Sequence, residues 1–197
     1  MMKKTSKGFT LAEVLITLGI IGIVAALTMP QLFNRTKNAH LGSQLANAIS
    51  TIENASGIYL YDHNVKKFSQ LSKTTASAVL EDLSKDYIKT TATSVTAPNG
   101  CTSKFAMPDK SVIGVCTDSV SDTLPTAGAG ANLFFLSSTS IKNKAFIEGL
   151  DYFKMYLSND GRIYLPGLDY DKEATCGAEG GSGCTGHIAK NGWKVDY

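Results

Sequence analysis

From Phe9 to Met29 the chain runs for 21 residues with one charged side chain, Glu13. As an α-helix this stretch is about 31 Å long, enough to cross the hydrocarbon core of a bilayer. A helix apolar all round cannot stay in water, so it belongs in a membrane or among other chains. Lys3, Lys4 and Lys7 precede it with no acid among them, which keeps the N-terminus cytoplasmic. The segment is not an ordinary secretory signal, whose apolar part is shorter and ends at a small-residue cleavage site. No Cys follows it to carry a lipid, which excludes a lipoprotein. Glu13 is the informative exception, because a carboxylate in a span is unfavourable by a few kcal/mol and is usually kept for a purpose.

Residues Lys7 to Glu13 read Lys-Gly-Phe-Thr-Leu-Ala-Glu. A short basic leader, Gly8, Phe9, an acid four residues on and a long apolar helix together form a specific pattern. It resembles the type IV prepilin leader shared by type IV pilins and type II secretion pseudopilins. The resemblance covers about the first 30 residues closely, the next 30 loosely, and the rest only in general plan. It implies that a prepilin peptidase cuts between Gly8 and Phe9 and that the same enzyme N-methylates Phe9. It also implies that Glu13 pairs with the new Phe9 amine, in its own chain or in a neighbouring copy. The bland alternative is that Glu13 snorkels to the headgroups.

The resemblance further implies a domain plan: leader 1–8, transmembrane and filament-core half 9–29, amphipathic half 30–60, and a globular ectodomain 61–197. The implied partners are the prepilin peptidase, other pilin subunits, an assembly ATPase with its membrane platform, and the inner membrane. The expected function is a type IV pilus subunit serving adhesion, motility or DNA uptake. One alternative is a pseudopilin of a type II secretion system, and another is a non-assembling, membrane-anchored binding domain. The chain would sit as a single-pass inner-membrane protein before assembly, then in a surface pilus or a periplasmic pseudopilus.

Pro30 closes the apolar run, and a proline inside a helix removes a hydrogen bond and crowds the preceding turn. A kink or local loosening is expected there, softened further by Gly19 and Gly22. Beyond it Leu41, Leu45, Ala48, Ile52, Ala55 and Tyr59 recur at helical spacing, with Asn38, Ser43, Asn47, Ser50 and Asn54 opposite. One helix from Phe9 to about Ile58 is predicted. A second is predicted over Thr75–Lys89, on Ala76, Val79, Leu80, Leu83 and Tyr87. A Thr-rich loop follows and ends in Pro98-Asn99-Gly100.

Short strands come next. Lys104–Met107 and Ser111–Thr117 flank Pro108-Asp109, a hairpin signal. A long loop with Pro125, Gly128 and Gly130 leads to a buried strand over Asn132–Ser138. Tyr152–Leu157 and Arg162–Leu165 flank Ser158-Asn159-Asp160-Gly161, the strongest turn in the chain. Trp193, Val195 and Tyr197 alternate with Lys194 and Asp196, which reads as a final strand. The order predicts an α+β, pilin-like fold: a long N-terminal helix on a small antiparallel sheet of four to six strands, with disulfide-closed loops.

The four cysteines suit an oxidising compartment. Three pairings are open, and we favour Cys101–Cys116 and Cys176–Cys184 because each closes a short loop. Zinc on Cys176, Cys184 and His187 fits no common spacing, and His40 and His63 lie far away in sequence. Calcium at Asp160, Asp169, Asp171 and Glu173 lacks a fixed loop pattern. Lys142, Lys144, Lys154 and Arg162 read as a solvated face rather than a DNA surface. No nucleophile, phosphate-loop or metalloprotease motif is present, and Gly177–Gly183 lacks the following Lys-Ser/Thr of a phosphate loop, so no enzyme, metal or cofactor is expected. Three of the 19 basic residues would leave with the leader, bringing the chain close to the 17 acidic ones. Such neutrality suits a subunit that packs against copies of itself.

Overall fold

The computed structural model describes residues 8–72, 75–90, 93–116, 131–138, 140, 146–168 and 175–196, without the side chains at 30, 31 and 33–35. Lys3, Lys4, Lys7, the loop with Pro125, Gly128 and Gly130, and Lys142, Lys144, Asp169, Asp171, Glu173 and Tyr197 lie outside the described residues. The chain divides into two compact units, 1–38 and 39–197.

Helix α1 spans Leu11–Asp62 and remains helical through Pro30. Within the second unit all six predicted stripe residues, Leu41 to Tyr59, are buried, and Ile49 and Leu60 join them. Ser43, Asn47, Ser50 and Asn54 face solvent, so the polar face is where the spacing puts it. The helix ends at a left-handed Asn64 (φ +52°), a residue whose short polar side chain tolerates that conformation. Helix α2 spans Ala76–Asp82, capped by the Thr75 side chain on the Ala78 N–H at 3.3 Å, and passes into a π-turn over Leu83–Tyr87. Two cross-bonds tie it to α1: the Tyr59 hydroxyl donates to Asp82 Oδ2 and the Tyr87 hydroxyl to Asp62 Oδ2, each at 3.1 Å. Burial, then the Asp82 carboxylate, pushes the Tyr59 pKa up to about 12.

The sheet is a five-stranded antiparallel meander: β1 Cys101–Ala106, β2 Val112–Cys116, β3 Ala131–Leu136, β4 Tyr152–Leu157 and β5 Ile163–Tyr164. β2 and β3 are continuous apolar runs and are buried on both faces. On one face Phe105, Ile113, Leu133, Phe135, Phe153 and Met155 meet the α1 stripe and Val79, Leu80 and Leu83. On the other, Val112, Phe134 and Leu136 lie under Val95, Ala97 and Phe146. β4 alternates, with Phe153, Met155 and Leu157 inside and Lys154 between them. Both predicted turns form. The Asp109 carboxylate accepts from the Ser111 N–H at 2.9 Å, and Gly161 closes the β4–β5 turn at φ +84°.

The predicted C-terminal strand is not formed. The structure has a helix instead, α3 over Cys184–Lys190, followed by a tail without strand pairing. The alternation was real but its cause was different. Trp193 and Val195 pack onto the core from an irregular tail, while Lys194 and Asp196 point outward. Gly192 and Trp193 both adopt left-handed backbone and turn the chain off α3, with the Trp193 N–H on the Ile188 carbonyl at 2.8 Å. The tail crosses α1 at Gly42, where a Cβ would run into the Trp193 carbonyl. The Gly-rich segment before Cys184 masked this helix, because its first turn follows a left-handed Gly183 rather than a polar cap.

Candidate functional site

The candidate site is the start of α1. Leu11–Met29 is a 19-residue apolar helix, none of it buried within the chain. Phe9 is 89% exposed, and Leu15, Ile16, Leu18, Ile20, Ile21, Ile23 and Leu27 are all exposed. The hydroxyls in the span bond back to the helix: Thr17 to the Val14 carbonyl at 2.9 Å and Thr28 to the Val24 carbonyl at 3.0 Å. Their donors are thus satisfied without water, as a hydrocarbon environment requires.

Glu13 is engaged in a way the sequence reading did not foresee. Its Oε2 accepts from the Thr10 N–H and from the Thr10 Oγ1, both at 2.8 Å, while its own N–H donates to Thr10 Oγ1 at 3.3 Å. This is a capping box, which satisfies donors at the helix start and places negative charge at the positive end of the helix dipole. The signal was present in the sequence: Thr10-Leu11-Ala12-Glu13 follows the Ser/Thr-x-x-Glu pattern. No cation among the described residues pairs with the carboxylate. Phe9, Glu13, Val14 and Thr17 line one groove of about 430 Å³, so the residue that would carry the new amine and the acid share one face.

The other predicted residues are distributed as follows. Cys101–Cys116 and Cys176–Cys184 are both disulfide-bonded, as favoured. The first staples directly paired residues of β1 and β2, and the second closes the Gly-rich loop onto α3. Both candidate zinc thiols are therefore consumed, and His187 instead bonds Asp196 at 3.0 Å and Asn191 at 3.1 Å. His63 stacks on Tyr59. Lys154 pairs with Glu148 at 3.1 Å, and Arg162 with its neighbour Asp160 at 3.7 Å, so these two cations do not build a joint basic surface.

A long, apolar, capped N-terminal helix joined to a disulfide-stapled antiparallel meander defines a membrane-anchored protein of α+β, pilin-like fold. The family described as "Prokaryotic N-terminal methylation motif" matches residues 3–29. The chain is also 34% identical over 64 residues to the type II secretion system core protein G of Aeromonas hydrophila. That likeness covers 32% of this chain and 44% of the relative, so the chain spans less than half of that protein's length. No solved structure matches it significantly. The chain belongs to the pilin and pseudopilin family, whose members are structural subunits.

Proposed function

We propose that this chain is a filament subunit made as a prepilin. A prepilin peptidase cuts it between Gly8 and Phe9 and methylates the Phe9 amine, and Leu11–Met29 then leaves the inner membrane for the core of a type IV pilus. The carrying observation is the helix start, where one capped carboxylate without a cationic partner shares a groove with Phe9 in an otherwise uncharged span. Cleavage would make Phe9 the chain terminus and give it a positive amine. Glu13 then has a cation to receive, in its own chain or from a neighbouring copy. In a bundle of packed apolar helices such a pair is strong enough to set register, because the dielectric there is low. Pro30 acts in this reading as the point where α1 loosens during assembly.

The second reading is a type II secretion pseudopilus, and the likeness to core protein G favours it. The disulfide-stapled ectodomain leans toward a surface pilus. In either case an assembly ATPase and membrane platform act on the subunit. Mass spectrometry of filaments sheared from intact cells separates the readings. Abundant N-methylated Phe9 peptide in sheared filaments is expected for the pilus. The same peptide confined to the membrane fraction replaces it with the pseudopilus, and an uncut chain everywhere overturns both.

A further inference from the structure

A polar cleft lies between the π-turn and the free edge of the sheet, within the unit 39–197. Glu81, Ser84, Lys85, Thr90, Thr93, Ser103 and Lys104 line a space of about 260 Å³. Two backbone irregularities converge on it. The π-turn over Leu83–Tyr87 supplies Ser84 and Lys85, and such turns recur at functional positions. On the opposite wall, the β1–β2 register slips between Ser103 and Phe105, leaving Lys104 as the extra residue. A bulge of this kind re-aims a side chain away from the ladder.

The hydrogen-bonding inventory is incomplete in a specific way. The Thr90 Oγ1 is shut off from solvent and has no partner, a condition that buried polar groups rarely accept. The Ser84 and Ser103 hydroxyls already spend their protons on the Glu81 and Val95 carbonyls, each at 2.8 Å, so toward the cleft they offer lone pairs. Glu81 is paired with Lys85 at 2.7 Å. Lys104 is in no ion pair among the described residues and leaves the cleft one positive charge in excess. The walls thus present acceptors for hydroxyl protons (Glu81, Ser84, Ser103), an unused hydroxyl at Thr90, and one free cation. No aromatic ring lines the space, so recognition runs through hydrogen bonds and charge rather than stacking. The volume is many times the ~30 Å³ share of one water and just under the ~300 Å³ at which drug-sized sites begin. That is the scale of one sugar ring.

We infer that this cleft binds an acidic sugar, its carboxylate on Lys104 and its ring hydroxyls on Thr90, Glu81, Ser84 and Ser103. The inference concerns the ectodomain alone and stands whether or not the chain assembles into a filament.

The test is saturation-transfer NMR and calorimetry on the full chain in detergent micelles, with glucuronate, glucose and inorganic phosphate as probes. Glucuronate is expected to bind saturably in the millimolar range. Glucose, the same ring without the carboxylate, should bind roughly tenfold more weakly. Lys104→Gln and Thr90→Val should each weaken glucuronate several-fold while leaving far-UV circular dichroism and Trp193 fluorescence unchanged. Lys104 sits at a half-exposed position, so its variant keeps the test decisive if Thr90→Val disturbs the fold. No saturable glucuronate binding, equal binding of glucose, or indifference to Lys104→Gln overturns the inference. Phosphate that displaces glucuronate at equal concentration also overturns it, by showing a simple anion site.

Discussion

The two halves of α1 are built from one continuous helix and answer to different surroundings. Between Leu11 and Met29 the apolar side chains point in every direction and none is buried by its own chain. Between Leu41 and Leu60 they form one stripe, and that stripe is sealed under the sheet and α2. The same backbone geometry therefore carries two kinds of stability. The second half is held by its own domain, as most helices in proteins are held by packing of one face. The first half gains nothing from its own domain and needs lipid or neighbouring helices. A helix with no apolar partner of its own is a statement about what the chain must meet later.

The contrast can be broken most sharply by truncating one side chain in each half. Ile52→Ala should destabilise the ectodomain by about 2–5 kcal/mol, because Ile52 is fully buried and a cavity would remain. Ile20→Ala should change the same unfolding midpoint by no more than about 0.5 kcal/mol, because Ile20 is exposed. Urea titration followed by Trp193, the single tryptophan, reads both. Equal effects would dissolve the division.

Next in size are the staples. Replacing Cys101 and Cys116 together by Ser should remove about 3 kcal/mol, the chain-entropy value for a loop of this span. The guanidinium midpoint reports it, and no shift would mean that the β1–β2 ladder holds the ends by itself.

Two helix caps sharpen the comparison at about 1 kcal/mol each. Thr75→Val removes the α2 cap and should lower ectodomain stability. Thr10→Val removes one side of the Thr10–Glu13 box and should speed amide exchange in the first turns of α1 while the ectodomain midpoint stays fixed. A matching loss in the ectodomain from Thr10→Val would show coupling that the burial pattern does not predict.

The smallest effect is alkaline. Tyr59 is favoured neutral in the fold, its pKa raised from 10.0 to about 12. Its contribution is therefore complete below pH 10 and is lost as pH rises toward about 12. Tyr59→Phe should flatten that part of the stability profile, and an unchanged slope would assign the alkaline loss to other groups.

Much of this architecture was legible because it rests on periodicity. The stripe from Leu41 to Tyr59, the apolar run Leu133–Phe134–Phe135–Leu136 and the Asn159-Asp160-Gly161 turn each follow from local rules, and each lies where those rules put it. Both favoured disulfides form as well. What failed was the C-terminus. Alternation at Trp193–Asp196 reports alternate burial, and an irregular tail across α1 produces that as readily as a strand does. The short α3 begins inside a glycine-rich segment, with no capping side chain and no long apolar face to announce it. At the candidate site the identity of Glu13 was plain. Its partner Thr10 was missed because attention fell on Phe9, although the capping-box spacing was there to be read.

The central claim is that the first half of α1 exists for assembly and that Glu13 directs it. Glu13→Ala, expressed in cells that hold the prepilin peptidase, tests this most directly, with membrane insertion, cleavage after Gly8 and filament yield measured together. The account predicts an inserted, correctly cut subunit that fails to build filaments. A cut subunit with normal filament yield would contradict it.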